Sequence, residues 1–94
     1  MQYKLKELRD NKKKVMRAYA KSHNIIILAF VEEFKELVGV SVREHRNYMN
    51  EIYYTFGRLF YMGSEQCCYE QCGCASFRDP KEVRNHAYKF FSIK

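Results

Sequence analysis

The stretch that decides the fold of this chain is Ile25-Ile26-Ile27-Leu28-Ala29-Phe30-Val31, which ends at the charged pair Glu32-Glu33. Seven consecutive apolar residues suit a buried strand as well as a segment of a buried helix, so the run by itself does not separate the two. A membrane-spanning helix needs about 20 apolar residues, far more than this run supplies. The residues around it must therefore decide between helix and strand.

The residues after this run favour a helix. Phe34 and Leu37 continue the apolar pattern at helical spacing, whereas a single strand would have no partner for its backbone hydrogen bonds. We therefore predict a helix over 25–38 that begins after the capping side chains of Ser22-His23-Asn24. Gly39 is suited to end this helix, because glycine adopts the left-handed conformation without a steric cost.

A capping box begins the next predicted helix. In Ser41-Val42-Arg43-Glu44 the serine hydroxyl and the glutamate carboxylate would each satisfy a backbone N–H of the first turn. This helix is expected to run to about Met62, because Gly63-Ser64 breaks its pattern. The second and third helices would then form a hairpin over 24–62.

Four polar and aromatic side chains on the third predicted helix need an interpretation. His45 lies on its apolar stripe, and we interpret it as a core residue. Tyr54, Arg58 and Tyr61 share the outer face. They would cover a neighbouring element, stack on nucleic-acid bases or bind a protein partner, and the packing role is favoured.

Both ends of the chain predict helices. Residues 2–22 place apolar side chains on one stripe at about 100° per residue, namely Leu5, Leu8, Val15, Met16 and Tyr19. Asp79 and Pro80 are a typical N-cap and first helical residue, so the last helix would span 80–91. The predicted fold is all-α: one domain, 1–94, of four helices with a cysteine-rich loop, 63–78, between the third and the fourth.

Charge is concentrated in the first predicted helix. Residues 1–24 contain eight basic and two acidic side chains, so they carry the whole formal net charge of +6, and residues 25–94 are formally neutral. Five of the basic residues follow one another at helical spacing: Lys6, Arg9, Lys13, Arg17 and Lys21. This strip is either a solvated helix face, a set of phosphate contacts or, less favoured, a contact with an anionic membrane surface.

A helix, a short turn with glycine and a second helix also make up the DNA-reading helix-turn-helix motif. The segment Leu37-Val38-Gly39-Val40-Ser41 resembles the turn of that motif, although Lys35 and His45 depart from the residue types it prefers. A plain helical hairpin explains the same turn without DNA. If the motif applies, five side chains would face the DNA groove: Ser41, Arg43, Arg46, Asn47 and Asn50.

All four cysteines lie within eight positions, in Cys67-Cys68-Tyr69-Glu70-Gln71-Cys72-Gly73-Cys74, and His86 follows twelve residues later. Structural cysteines behave as small apolar residues and are not expected to cluster so densely. We predict a structural zinc ion held by Cys68, Cys72, Cys74 and His86, with Cys67 as a substitute ligand. Free or redox-active thiols, disulfides and an iron–sulfur cluster remain alternatives, because paired Cys-x-x-Cys knuckles are missing.

These features predict a binding protein of the cytoplasm. No signal peptide opens the sequence, and no phosphate-binding glycine loop, nucleophile elbow or zinc-protease motif is present, so we expect no enzyme. The first candidate function is a small nucleic-acid-binding regulator of transcription. The second is an adaptor or inhibitor that docks on a larger protein without contact to nucleic acid, and neither candidate needs a membrane.

Overall fold

In the computed structural model, which describes residues 5–93, the chain forms two helices and a four-stranded antiparallel sheet. The strands lie side by side in chain order, so the first and the last are the edges of the sheet. The elements are α1 (Leu5–Ser22), β1 (Ile25–Glu33), β2 (Glu36–Arg46), β3 (Ile52–Gly63), β4 (Gln66–Gln71) and α2 (Pro80–Phe90).

The all-α prediction is wrong because the apolar run Ile25–Val31 does have a strand partner. It lies in β1, which pairs with β2 from Ile25 opposite Arg43 to Glu33 opposite Glu36. The two residues between these strands, Phe34 and Lys35, have φ angles of 50° and 64°. Positive φ at both positions is what a two-residue type I′ turn requires. The chain therefore reverses inside the predicted helix 25–38.

The predicted helical hairpin over 24–62 is extended as well. Gly39 lies within β2 instead of ending a helix. The Ser41 side chain is fully buried and donates its hydroxyl to the Gly39 carbonyl oxygen at 2.9 Å. Glu44 lies opposite Tyr54 in the β2–β3 pairing. The capping box therefore does not form, and the sheet contains no recognition helix at this position.

The sheet has a helix on each face, because successive residues of a strand point to opposite sides. On one face, Met16 and Ala20 of α1 pack against Ile25 and Leu59. On the other, Val83 and Ala87 of α2 pack against a second cluster that contains Val40, Val42 and Phe56. The two clusters are the core of the protein, and the strands separate them.

A register shift in β1 helps to fill the α1 side. Between Ile27 and Ala29 the pairing with β2 is irregular, so Leu28 is an extra residue in the strand. As a result, Ile27 and Phe30 both contact the α1 cluster, whereas Leu28 and Val31 contact the α2 cluster.

The two terminal helices agree with the sequence pattern. α1 covers the described part of the predicted helix 2–22, and residues 2–4 lie outside the described residues. α2 corresponds to the predicted helix 80–91. Its N-cap is Asp79, as predicted, and the Asp79 carboxylate accepts a hydrogen bond from the Lys81 N–H at 3.0 Å. The predicted loop 63–78 is only partly a loop, since it contains β4.

Candidate functional site

The cysteine cluster is divided between the two faces of the sheet. Cys67 and Cys68 are successive residues of β4, so their side chains point to opposite sides. Cys67 packs with the α1 cluster, whereas Cys72 is buried in the α2 cluster. Cys74 is exposed beyond the end of β4. The dense spacing in sequence therefore does not become one cluster in space.

The predicted zinc ligands are not assembled into a site. His86 projects from α2 and lies beside Phe77, with 4.7 Å between the ring centroids. In the part of the chain that the structure describes, no three histidine, cysteine or acidic side chains are placed to hold a metal ion. The structure gives no support to zinc, and all four cysteines are free thiols.

Cys72 has the most specific surroundings of the four thiols. Its sulfur accepts a hydrogen bond from Arg58 Nη1 at 3.2 Å. Burial raises the pKa of Cys72 above its ordinary value, although the positive charge of Arg58 opposes the shift. Burial in the α2 cluster and the raised pKa both fit Cys72 as a packing residue.

Arg58 connects three parts of the fold. Its guanidinium forms an ion pair with Glu33, with Nε donating to Oε1 at 2.7 Å. The same group lies 4.9 Å from the ring centroid of Phe91, just beyond α2. Tyr54, also on this face of the sheet, packs against the α2 cluster, whereas Tyr61 packs on the α1 side. All three residues thus make packing contacts, but they do not share one face as expected, because the predicted third helix is the strand β3.

The basic side chains of α1 form a strip on the flank that faces β1. Lys13 Nζ lies 5.5 Å from the centroid of the Phe30 ring and the Arg17 guanidinium 5.1 Å from it. Arg9 donates to Glu32 at 2.8 Å, and Lys21 is exposed in the last turn. These contacts hold the stems of the side chains on the sheet and leave their charges near solvent. The Lys6 side chain lies outside the described residues.

The residues predicted to face a DNA groove have different roles in the structure. Ser41 is buried, and Arg43 lies over the Tyr69 ring, 5.6 Å from its centroid. Arg46 donates to Asn50 Oδ1 at 3.2 Å. Asn47 shapes the β2–β3 loop, because its side-chain oxygen accepts from the N–H groups of two later loop residues. The five residues thus do not form a reading surface.

Arg43 and Arg46 nevertheless lie near the end of α1. The Glu44 N–H donates to the carbonyl oxygen of Asn24, two residues after α1, at 2.9 Å. The cationic end of β2 is therefore close in space to the last turn of the basic helix. This proximity depends on the strand pairing, which the predicted helical hairpin does not contain.

His45 belongs to a hydrogen-bonded chain on the α1 side of the sheet. Its Nε2 lies 2.8 Å from Thr55 Oγ1, which lies 2.9 Å from the Tyr69 hydroxyl. The imidazole also stacks on Tyr53, with 4.8 Å between centroids. Burial and the charge of Arg43 lower the pKa of His45. A neutral, hydrogen-bonded and half-buried histidine fits the structural role expected for it.

A groove runs between α1 and the outer edge of β1, and it has a volume of about 470 Å³. Its helix side consists of Arg17, Ala20 and Lys21, and its strand side is Ile25–Phe30. Ile26 is 51% exposed at this edge. The sequence pattern gave no sign of the groove, because a predicted helix over 25–38 has no strand edge.

Comparison with known proteins finds no family model that matches this chain, and no curated protein or solved structure with significant similarity to it. Neither helix of the described region is long and apolar enough to cross a membrane. The functional interpretation therefore rests on the geometry and charge of this chain.

Proposed function

We propose that this protein binds nucleic acid, with α1 contacting the phosphate backbone. The observation that carries the proposal is the unpaired charge of the helix. Among the described side chains, the α1 residues Lys12, Lys13, Lys14, Arg17 and Lys21 take part in none of the ion pairs. Three of these, Lys13, Arg17 and Lys21, lie on the flank that faces β1, whereas Lys12 lies over Tyr61 on the other flank. Cations without acidic partners are available to phosphates, and each contact releases counterions from the nucleic acid.

The length of the basic strip suits a polymeric anion better than a small one. From Lys13 to Lys21 the axis of α1 rises by about 12 Å, so these cations form a row along the helix and not one compact cluster. Such a row follows several phosphates of one strand. Contacts to phosphates carry no sequence information, so we expect binding with little sequence preference.

The proposal is tested by the salt dependence of binding to a mixed-sequence DNA duplex. We expect a steep decrease in affinity with salt, and a slope that is smaller by about 2 to 3 units when Lys13, Arg17 and Lys21 are all changed to Gln. The matched control changes Lys81, Arg84 and Lys89 of α2 to Gln, which removes the same charge from exposed positions on the other helix.

The two triple variants separate a binding surface from a net-charge effect. Weaker binding by the α1 variant alone supports the proposal. Equal losses in both variants, or no binding by the wild-type protein at low salt, would exclude α1 as a phosphate-binding surface. Circular dichroism of each variant verifies that the fold is retained.

A second candidate function is that of a protein-binding adaptor. One observation favours it: β1 is an edge strand with apolar residues and a groove beside it. Both candidates describe a binding protein, and the chemistry of a protein ligand for this groove is developed below.

A further inference from the structure

The outer edge of β1 is an unusually apolar strand edge. In the described sheet, only β2 pairs with β1, so backbone N–H and C=O groups along the other side of β1 have no strand partner. Natural proteins usually protect such an edge with charged residues, prolines or a covering element. In β1 the charged residues are only Glu32 and Glu33 at its end, and a bulge lies at Leu28. Ile25–Val31 contains no charged residue and no proline, and α1 leaves a groove beside the strand.

The two sides of this edge differ in chemistry. On the α1 side, the groove is bordered by Arg17 and Lys21, which have no acidic partner among the described side chains. On the α2 side, the exposed residue is Ile26, with Leu28 beyond it. Along Ile25–Leu28, before the bulge breaks the alternation, a strand added to β1 would therefore place alternate side chains next to cations and next to apolar residues.

We propose that the edge of β1 binds an extended segment of a partner protein in which acidic and apolar residues alternate. The backbone of the segment would hydrogen-bond to β1 and continue the sheet, as in other cases of strand addition. Its carboxylates would lie in the groove beside Arg17 and Lys21, and its apolar side chains would pack on Ile26 and Leu28. The inference stands independently of nucleic-acid binding.

Charge argues against a second copy of this chain as the occupant. If β1 paired antiparallel with β1 of another copy about a two-fold axis, both α1 helices would lie on the same face of the combined sheet. The flanks that carry Lys13, Arg17 and Lys21 would then face each other, and like charges at close range oppose association. An acidic segment meets complementary charge at the same place.

If α1 also binds nucleic acid, as proposed above, nucleic acid and the acidic segment compete for the same cations. An acidic segment in the groove neutralises Arg17 and Lys21, which are also phosphate-binding residues of α1. A partner with this segment would therefore displace nucleic acid, and this consequence rests on the proposed function.

The experiment measures fluorescence anisotropy of labelled ten-residue peptides at submicromolar concentration, without nucleic acid. One peptide alternates glutamate and valine, a second alternates lysine and valine, and a third is the glutamate peptide with alternate amides N-methylated. We expect the wild-type protein to bind the first peptide at least about tenfold more tightly than either of the others. N-methylation removes the backbone donors that strand addition needs, while it leaves the charge unchanged.

A charge exchange identifies the residues. In the variant Arg17→Glu/Lys21→Glu, we expect the preference to reverse in favour of the lysine peptide. The matched control is Lys81→Glu/Arg84→Glu on α2, which changes the net charge equally and should keep the wild-type preference. An unchanged preference in the α1 variant, or equal binding of the N-methylated peptide, would overturn the proposal.

Two further outcomes separate the competing occupants. A concentration-dependent dimer that Ile26→Lys converts to a monomer would assign the edge to a second copy and overturn the proposal. DNA binding without peptide binding would also overturn it and leave the proposed function intact. Peptide binding without DNA binding would support the inference and reject the proposed function.

Discussion

Glu33 and Arg58 join the end of β1 to β3 across the intervening strand. The carboxylate receives two hydrogen bonds from the guanidinium, at 2.7 and 3.3 Å, and the two side chains are only 28% and 25% exposed. The hydrogen bond from Arg58 lowers the pKa of Glu33 below its ordinary value. In contrast, Glu32 meets Arg9 at a more open position, where 48% of the glutamate side chain is exposed.

This pair makes a prediction at the scale of one residue. Because the pKa of Glu33 is lower in the folded than in the unfolded chain, its stabilisation is complete above the ordinary glutamate pKa of about 4.3 and is lost as the pH falls through the lower pKa of the folded state. We expect Glu33→Gln to reduce the free energy of unfolding at neutral pH by about 1 kcal/mol. In this variant the free energy of unfolding should also decrease less steeply as the pH falls. Urea unfolding across this pH range measures both effects. Glu32→Gln is the control, and an equal loss in the two variants would contradict the special role of Glu33.

At the scale of the element, the turn Phe34-Lys35 distinguishes the observed hairpin from the predicted helix. Both residues are exposed and both have positive φ, a conformation that is costly for side chains other than glycine and asparagine. Phe34→Asn/Lys35→Gly should therefore increase the free energy of unfolding by about 1 kcal/mol. The same dipeptide in a helix is unfavourable, so Arg84→Asn/Asn85→Gly in α2 should lower it by about 1 kcal/mol. Thermal unfolding of both variants provides the comparison, and destabilisation by the turn variant would contradict the hairpin.

The same turn explains which elements could be predicted from the sequence. α1 and α2 have local signals, namely helical apolar spacing in both and the Asp79-Pro80 start of α2. The β1–β2 and β3–β4 hairpins lack such signals, because Phe34-Lys35 and Ser64-Glu65 take the left-handed conformation without the Asn-Gly pattern that predicts such turns. The positively charged strip of α1 could be predicted from the helical spacing of its basic residues. The β1 groove and the separation of the cysteines could not, since both depend on the strand pairing.

At the scale of the whole molecule, one sheet supports two separate cores, and we expect the protein to unfold as a unit. Met16 on the α1 side and Val83 on the α2 side are both fully buried, and they belong to different clusters. Met16→Ala and Val83→Ala should each reduce the free energy of unfolding by about 2 to 3 kcal/mol. Because the sheet separates the two side chains, the double variant should show the sum of both effects within about 0.5 kcal/mol.

Cooperativity also decides how α1 can act as a binding element. If both helices depend on the same sheet, each variant shows a single urea transition with an unchanged dependence on denaturant. The cations of α1 are then presented by a fixed helix, which suits a row of phosphates or an added strand. A second transition in Met16→Ala alone would show that α1 detaches before the sheet unfolds. The groove beside β1 would then open when the helix detaches. In that case Arg17 and Lys21 would not be held beside β1, and the charge exchange on α1 should change the peptide preference less.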